Sequence, residues 1–131
     1  MAQRQDPQHR VECRDFAGQV RVTVGDAVLA DTTRAVLLSE TSYPERYYLP
    51  PEDLRSDVLV ESDSHTFCPY KGVASYWSFR GGNGEEITDV GWTYAEALGD
   101  ALPIQGMVCF YPEKVEVTAV PEGHARRRME G

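Results

Sequence analysis

The sequence predicts a mainly β domain with antiparallel strands and no more than one or two short helical turns. Three observations carry this reading. Apolar residues alternate with polar ones over short runs, as in Val20, Val22 and Val24 or the stretch VASYWSF, and a period of two sends successive side chains to opposite faces of a strand. Gly-, Pro- and Asn-containing breaks separate these runs at short intervals. No segment keeps a helical period beyond two turns, and the stretch that comes nearest, AEALGDALPIQG, is ended by Pro103.

Residues 1–18 mix Gln, Arg, Asp and Pro without periodicity and read as a flexible lead-in to a single domain over 19–120. Gly25 and Asp26 form a two-residue turn between the strand of Val20 to Val24 and the returning AVLAD, which is a hairpin signal. RAVLLSE, Arg34 to Glu40, reads as a largely buried strand ending on an acid. TSYPERYYLPPEDL holds three prolines, which predict an extended arm and then one helical turn at PPED. VLVES, HTFCPY and VASYWSF read as three further strands, and RGGNGEE as a loop whose glycines accept left-handed conformations. EITDVGWTY is a strand bulged or interrupted at Gly91. GMVCFYP and VEVTAV close the fold around the turn Pro112 to Lys114, and 121–131 are a flexible tail. The total is about eight or nine short strands.

A chain of 131 residues, 41% hydrophobic and 26% charged, can bury a core without metal or disulfide staples. No apolar run approaches the ~20 residues that span a bilayer. The start, MAQRQDPQHR, has no apolar segment behind its charges, so a soluble, cytoplasmic protein is expected. Cys13, Cys68 and Cys109 are an odd number at wide spacing, against a disulfide framework. Only His65 and Cys68 are closely spaced, so no metal or other cofactor is expected. Thirteen basic against twenty-one acidic residues give a net charge of −8, which repels nucleic acid and anionic membranes. The tail arginines Arg126, Arg127 and Arg128 supply too few phosphate contacts to reverse that.

HTFCPYKG, His65 to Gly72, holds the densest chemistry. On a straight strand Thr66, Cys68 and Tyr70 share one face, and Lys71 falls on the wrong side for Cys68. The two converge only if the backbone bends at Pro69 to Gly72, where Gly72 allows it and Pro69 cannot serve a ladder. A lysine beside Cys68 would favour the thiolate, whereas apolar surroundings would leave a small inert core residue. No histidine spacing supplies a base: His65 faces away, and His9 and His124 lie in the expected tails. Glu40 and Asp53 can approach Lys71 or Arg34, as acid/base groups or as structural ion pairs. Tyr43, Tyr47, Tyr48, Tyr70, Tyr76 and Trp77, with Trp92 and Tyr94, are many aromatics for a small domain, enough to place two or three in a pocket for a flat or cationic ligand.

RAVLLSETSYPERYYLPPEDL, TFCPYKGVASYW, GWTY and IQGMVCFYP together resemble the bacterial domain-of-unknown-function family 427, sometimes labelled nucleotidyltransferase-like, over roughly Val20 to Val120. The resemblance implies a single compact domain of two antiparallel sheets, a β-tent of the Mss4-like group. Its pattern is matched by Arg34, Glu40, Tyr48, Asp53 and Thr66, and by Cys68, Lys71, Tyr76 and Trp92, which form the candidate ligand-binding set. The paired zinc cysteines of that group are missing, and so are a DxD pair and a GxxxxGK run for nucleotidyl transfer.

The leading expectation is a domain binding an unknown small molecule in a pocket between the sheets, lined by Glu40, Tyr48, Cys68, Lys71, Tyr76 and Trp92. A second is an enzyme with Cys68 as nucleophile or redox thiol, Lys71 lowering its pKa, and Glu40 or Asp53 carrying the proton. A third is a structural interaction module. An exposed edge strand could pair two copies into a homodimer.

Overall fold

The computed structural model describes residues 9–123. Ten strands follow in order: β1 Val11–Asp15, β2 Gly18–Val24, β3 Ala27–Thr32, β4 Val36–Glu40, β5 Arg46–Leu49, β6 Leu59–Cys68, β7 Gly72–Arg80, β8 Glu86–Tyr94, β9 Val108–Phe110 and β10 Glu116–Pro121. Two 3-10 turns, Pro51–Asp53 and Gly99–Ile104, complete the regular structure. No helix among the described residues is long and apolar enough to cross a membrane.

Seven strands form one sheet in the order β1-β4-β5-β9-β8-β7-β6, and three form another, β10-β2-β3. All pairings are antiparallel. The expected hairpin at Gly25 and Asp26 joins β2 to β3, and Gly25 takes φ +56° there.

Three expectations need correction. The domain begins before residue 19: β1 runs alongside β4, with Cys13 opposite Leu38, and Val11 is buried. Its signal was weak because VECRD sits at the sheet edge, where only one or two side chains meet the core. Residues 1–8 and 124–131 of the expected flexible ends lie outside the described residues. VLVES and HTFCPY are one ten-residue strand, β6, whose register with β7 shifts between Glu61 and His65. The irregularity of β8 falls at Asp89, which has φ +52° and donates its N–H to Ser78 Oγ over 2.9 Å. Gly91 instead allows close approach, since a Cβ there would lie 2.9 Å from the Cys109 carbonyl oxygen.

Alternation divides the large sheet between two cores. On one face Leu49, Phe79, Val90, Val108 and Phe110 pack against Val20, Val22 and Leu29 of the small sheet. On the other, Leu38, Tyr48, Trp92, Tyr94 and Cys109 form a second cluster, covered by Ala101 and Ile104 of the Gly99–Ile104 turn. Burying each large apolar side chain contributes about 1.5–3 kcal/mol, so both clusters are substantial.

Phe79→Ala is expected to lower stability by about 3–5 kcal/mol, because Phe79 is only 2% exposed between the sheets. Phe67→Ala, at a site 68% exposed, should stay within about 0.5 kcal/mol. Urea unfolding midpoints read both, and similar losses would contradict this assignment of the core.

Candidate functional site

The turn after β6 aims the lysine of the HTFCPYKG stretch. β6 stops at Cys68, and Lys71 N–H donates to the Cys68 carbonyl over 3.2 Å, with Pro69 and Tyr70 at the centre of the turn. Gly72 then takes φ +119°, and a Cβ there would sit 2.8 Å from the Glu96 carbonyl oxygen. Leu98 N–H donates to the Lys71 carbonyl over 3.1 Å and pins the turn from the other side. The bend expected at Pro69 to Gly72 is present, and it directs Lys71 across the sheet.

Lys71 Nζ donates to Glu40 Oε1, and His9 Nε2 lies 2.9 Å from Glu40 Oε2. These side chains are 13%, 5% and 13% exposed for Lys71, Glu40 and His9 respectively. The His9 ring stacks on Tyr70, with centroids 3.9 Å apart. A buried carboxylate is costly unless it is paired and hydrogen-bonded, and here both oxygens are engaged. In a flat sheet β4 and β7 would be four strand spacings apart, about 19 Å. The Lys71–Glu40 contact therefore means that the seven-stranded sheet curls and that Glu40 lies on its concave face.

Aromatic rings line that concavity. Trp92 Nε1 donates to Tyr48 Oη over 3.1 Å, with the two rings edge to face at 6.4 Å. Tyr111 packs against Trp92 at 4.5 Å, and Arg46 lies over the Trp92 ring at 5.5 Å. Lys71 Nζ lies 5.9 Å from the Tyr94 ring centroid. Tyr76 is held by a 2.8 Å hydrogen bond between its hydroxyl and that of Thr66. The pocket these rings line is open on one side and has a volume of about 200 Å³.

Burial sets the protonation of these walls. It pushes the Tyr48 phenol far above its usual range, helped by Cys109 and Tyr94 and partly offset by the Trp92 hydrogen bond. Tyr94 is raised by burial and then by the neighbouring Cys68 and Tyr76. Tyr111 is pushed up to about 12 by burial and by its hydrogen bond with Tyr76, against the opposing charge of Arg46. Cys109 is also pushed up to about 12 by burial, which Arg46 and Lys71 only partly counter. Near neutral pH these groups are hydrogen-bonding neutral walls.

Of the residues singled out from sequence, Glu40, Tyr48, Lys71, Tyr76 and Trp92 meet around this pocket. Thr66 acts through Tyr76, and Cys68 packs at the edge of the same cluster. Lys71, which the alternative enzyme reading places beside the Cys68 thiol, donates its ammonium N–H to Glu40. Arg34 and Asp53 sit elsewhere: Thr32 Oγ1 donates to Asp53 Oδ2 over 2.6 Å and Arg34 Nη2 over 3.3 Å, tying the Pro51–Asp53 turn to β3. The pocket is also not between the sheets. Tyr48 and Trp92 face away from the small sheet, because Tyr47 and Leu49, one position either side of Tyr48, take the inter-sheet face. The cavity that opens between the sheets is a different one of about 160 Å³, lined by Val22, Tyr47, Leu49, Phe110 and Val117 among others.

Sequence reasoning missed His9, Arg46 and Tyr111. Arg46 and Tyr111 were accessible in principle, since each lies two positions from a residue of the same packed cluster, Tyr48 or Cys109. His9 gave no signal, because only the unrecognised strand β1 brings it to Glu40. Among the described residues no group of three or more His, Cys, Asp or Glu side chains is arranged to hold a metal ion. A family model described as a domain of unknown function, DUF427, matches residues 12–121. No curated protein matches the chain.

Glu40→Gln and Lys71→Met should each cost about 3–5 kcal/mol, because each removes one partner of a buried ion pair. The double variant should cost less than the sum by at least about 1 kcal/mol, and additive losses in denaturant unfolding would deny the coupling.

Cys109 predicts a further alkaline effect. Its folded pKa, about 12, stands above the ordinary 9.0, so between these values the unfolded chain releases a proton that the folded chain keeps. The stabilising contribution is complete below pH 9 and declines as pH rises toward 12. Thermal unfolding should fall less steeply over the first part of that range in Cys109→Ala than in the parent; identical slopes would contradict the assignment.

Proposed function

The chain belongs to the DUF427 family, whose description assigns no activity, and from that premise we propose, on the pocket alone, a small-molecule-binding domain. The observation that carries this reading is the convergence of Tyr48, Tyr76, Trp92, Tyr94 and Tyr111 on one space beside Glu40, Lys71 and Arg46. Small-molecule sites are concave and orient their ligands by a few placed polar groups, and here Glu40, Lys71, Arg46 and tyrosine hydroxyls stand among the rings. At about 200 Å³ it is smaller than the ~300–1,000 Å³ of drug-sized sites, which suits a molecule of one or two rings.

The walls are supported from behind, which favours binding with little rearrangement. Tyr48 is fully buried and accepts the Trp92 indole hydrogen bond, so the indole plane is fixed before a ligand arrives. Thr66 fixes Tyr76 in the same way. Pre-set aromatic surfaces lose little side-chain freedom on binding and retain more of the contact energy as affinity.

The protein has two tryptophans, so Trp77→Phe leaves Trp92 as its single indole reporter. A library of small planar aromatic compounds should contain members that shift Trp92 emission and raise the melting temperature together. Adding Tyr76→Ala should weaken those compounds roughly three- to tenfold, the equivalent of about 0.5–1.5 kcal/mol for an aromatic contact. A library in which nothing moves either signal would remove the reading.

A further inference from the structure

The charges around the pocket do not balance. Both oxygens of Glu40 are occupied, one by Lys71 and one by His9. Arg46 also lines the pocket, so two fixed cations, Lys71 and Arg46, face one carboxylate. Seven arginines lie among the described residues. Six of them, Arg10, Arg14, Arg21, Arg34, Arg55 and Arg80, have a carboxylate within 4.0 Å. Arg46 has none within that distance among the described residues, although acids outnumber bases by twenty-one to thirteen in the chain. Its guanidinium rests over the Trp92 ring at 5.5 Å, with its hydrogen-bonding fork uncommitted to any carboxylate of the described residues.

Given the pocket reading on which it rests, we propose that the ligand is a planar aromatic anion whose carboxylate or phosphate is taken by Arg46. The guanidinium fork matches the two oxygens of either group and binds them in a bidentate manner. The aromatic walls also bear on the sign of the ligand. Aromatic cages can hold organic cations, but here the protein's own cations already lie over Trp92 and Tyr94, at 5.5 and 5.9 Å. A cationic ligand would meet Arg46 and Lys71 with Glu40 already engaged. An anion meets a guanidinium, and its ring meets Trp92, Tyr76 and Tyr111.

The test is isothermal titration calorimetry of the full chain with four probes that share one ring system: 2-naphthoate, 2-naphthyl phosphate, 2-naphthalenemethanol and 2-naphthylmethylammonium. At least one anion should bind about tenfold or more tighter than the alcohol, with the ammonium weakest. The tighter of the two anions identifies the headgroup. R46Q should bring that anion's affinity down to the alcohol's, and R46K should keep only part of the preference, since it retains the charge and loses the fork. An alcohol or ammonium that binds as tightly as both anions would overturn the proposal while leaving the pocket reading intact, as would a folded R46Q that keeps the preference. If R46Q melts early, the four-probe comparison on the unaltered chain decides. Should none of the four bind at millimolar concentration, this inference fails, and the Trp92 fluorescence library decides the pocket reading separately.

Discussion

The contact between Lys71 and Glu40 ties together two strands that a flat sheet would hold far apart. Lys71 sits in the turn between β6 and β7, and Glu40 ends β4, with β5, β9 and β8 between them. Everything on the inner face of those three strands is brought inward by that closure. The pair is expensive in isolation, because removing two charges from water costs several kcal/mol per ion before the attraction is counted. Three features offset the expense here: the direct hydrogen bond, the His9 contact to the second Glu40 oxygen, and the Tyr94 ring beside the ammonium. An ion pair of this kind is a weak general source of stability, and here it joins the two sides of the curled sheet.

Given the curl, the alternation along single strands determines what the two faces do. In β5, Tyr47 and Leu49 pack into the inter-sheet core while Arg46 and Tyr48 turn to the pocket. In β9, Val108 and Phe110 join the first core and Cys109 the second. The pocket floor is thus the back of a packed core, and Tyr48 cannot move without disturbing its strand neighbours. Gly91 contributes to the same rigidity: without a side chain it lets β8 lie close against Cys109, and this holds Trp92 at its place opposite β9.

Much of the fold was legible because strand periodicity and turn chemistry are local signals. The Gly25–Asp26 hairpin, the buried strand ending at Glu40, the extended arm with its turn at PPED and the bend at Gly72 all follow from a few adjacent residues. What was not legible depended on partners distant in sequence. β1 is recognisable only once β4 lies beside it, and His9 becomes a site residue only through that pairing, 31 positions from Glu40. The face of the sheet that holds the pocket could not be read either, since alternation separates two faces without saying which one the small sheet covers. Lys71 illustrates both limits: the need for a bend was readable from Pro69 and Gly72, but its engagement with Glu40, rather than with Cys68, depends on a curl that no local pattern encodes.

The same arrangement sets the protonation and pairing of the chemistry-bearing groups. Tyr48, Tyr94, Tyr111 and Cys109 are kept protonated by burial, and so serve as donors, acceptors and packing surface. The thiol that seemed best placed for nucleophilic work, Cys68, lies at the edge of the cluster, while the lysine that would have activated it is directed to a carboxylate. His9 is held by Glu40 and stacked on Tyr70. The acid and bases of this cluster largely satisfy one another. The charge left without a carboxylate partner among the described residues is that of Arg46, so the closure that curls the sheet also sets the electrostatics of its concave face.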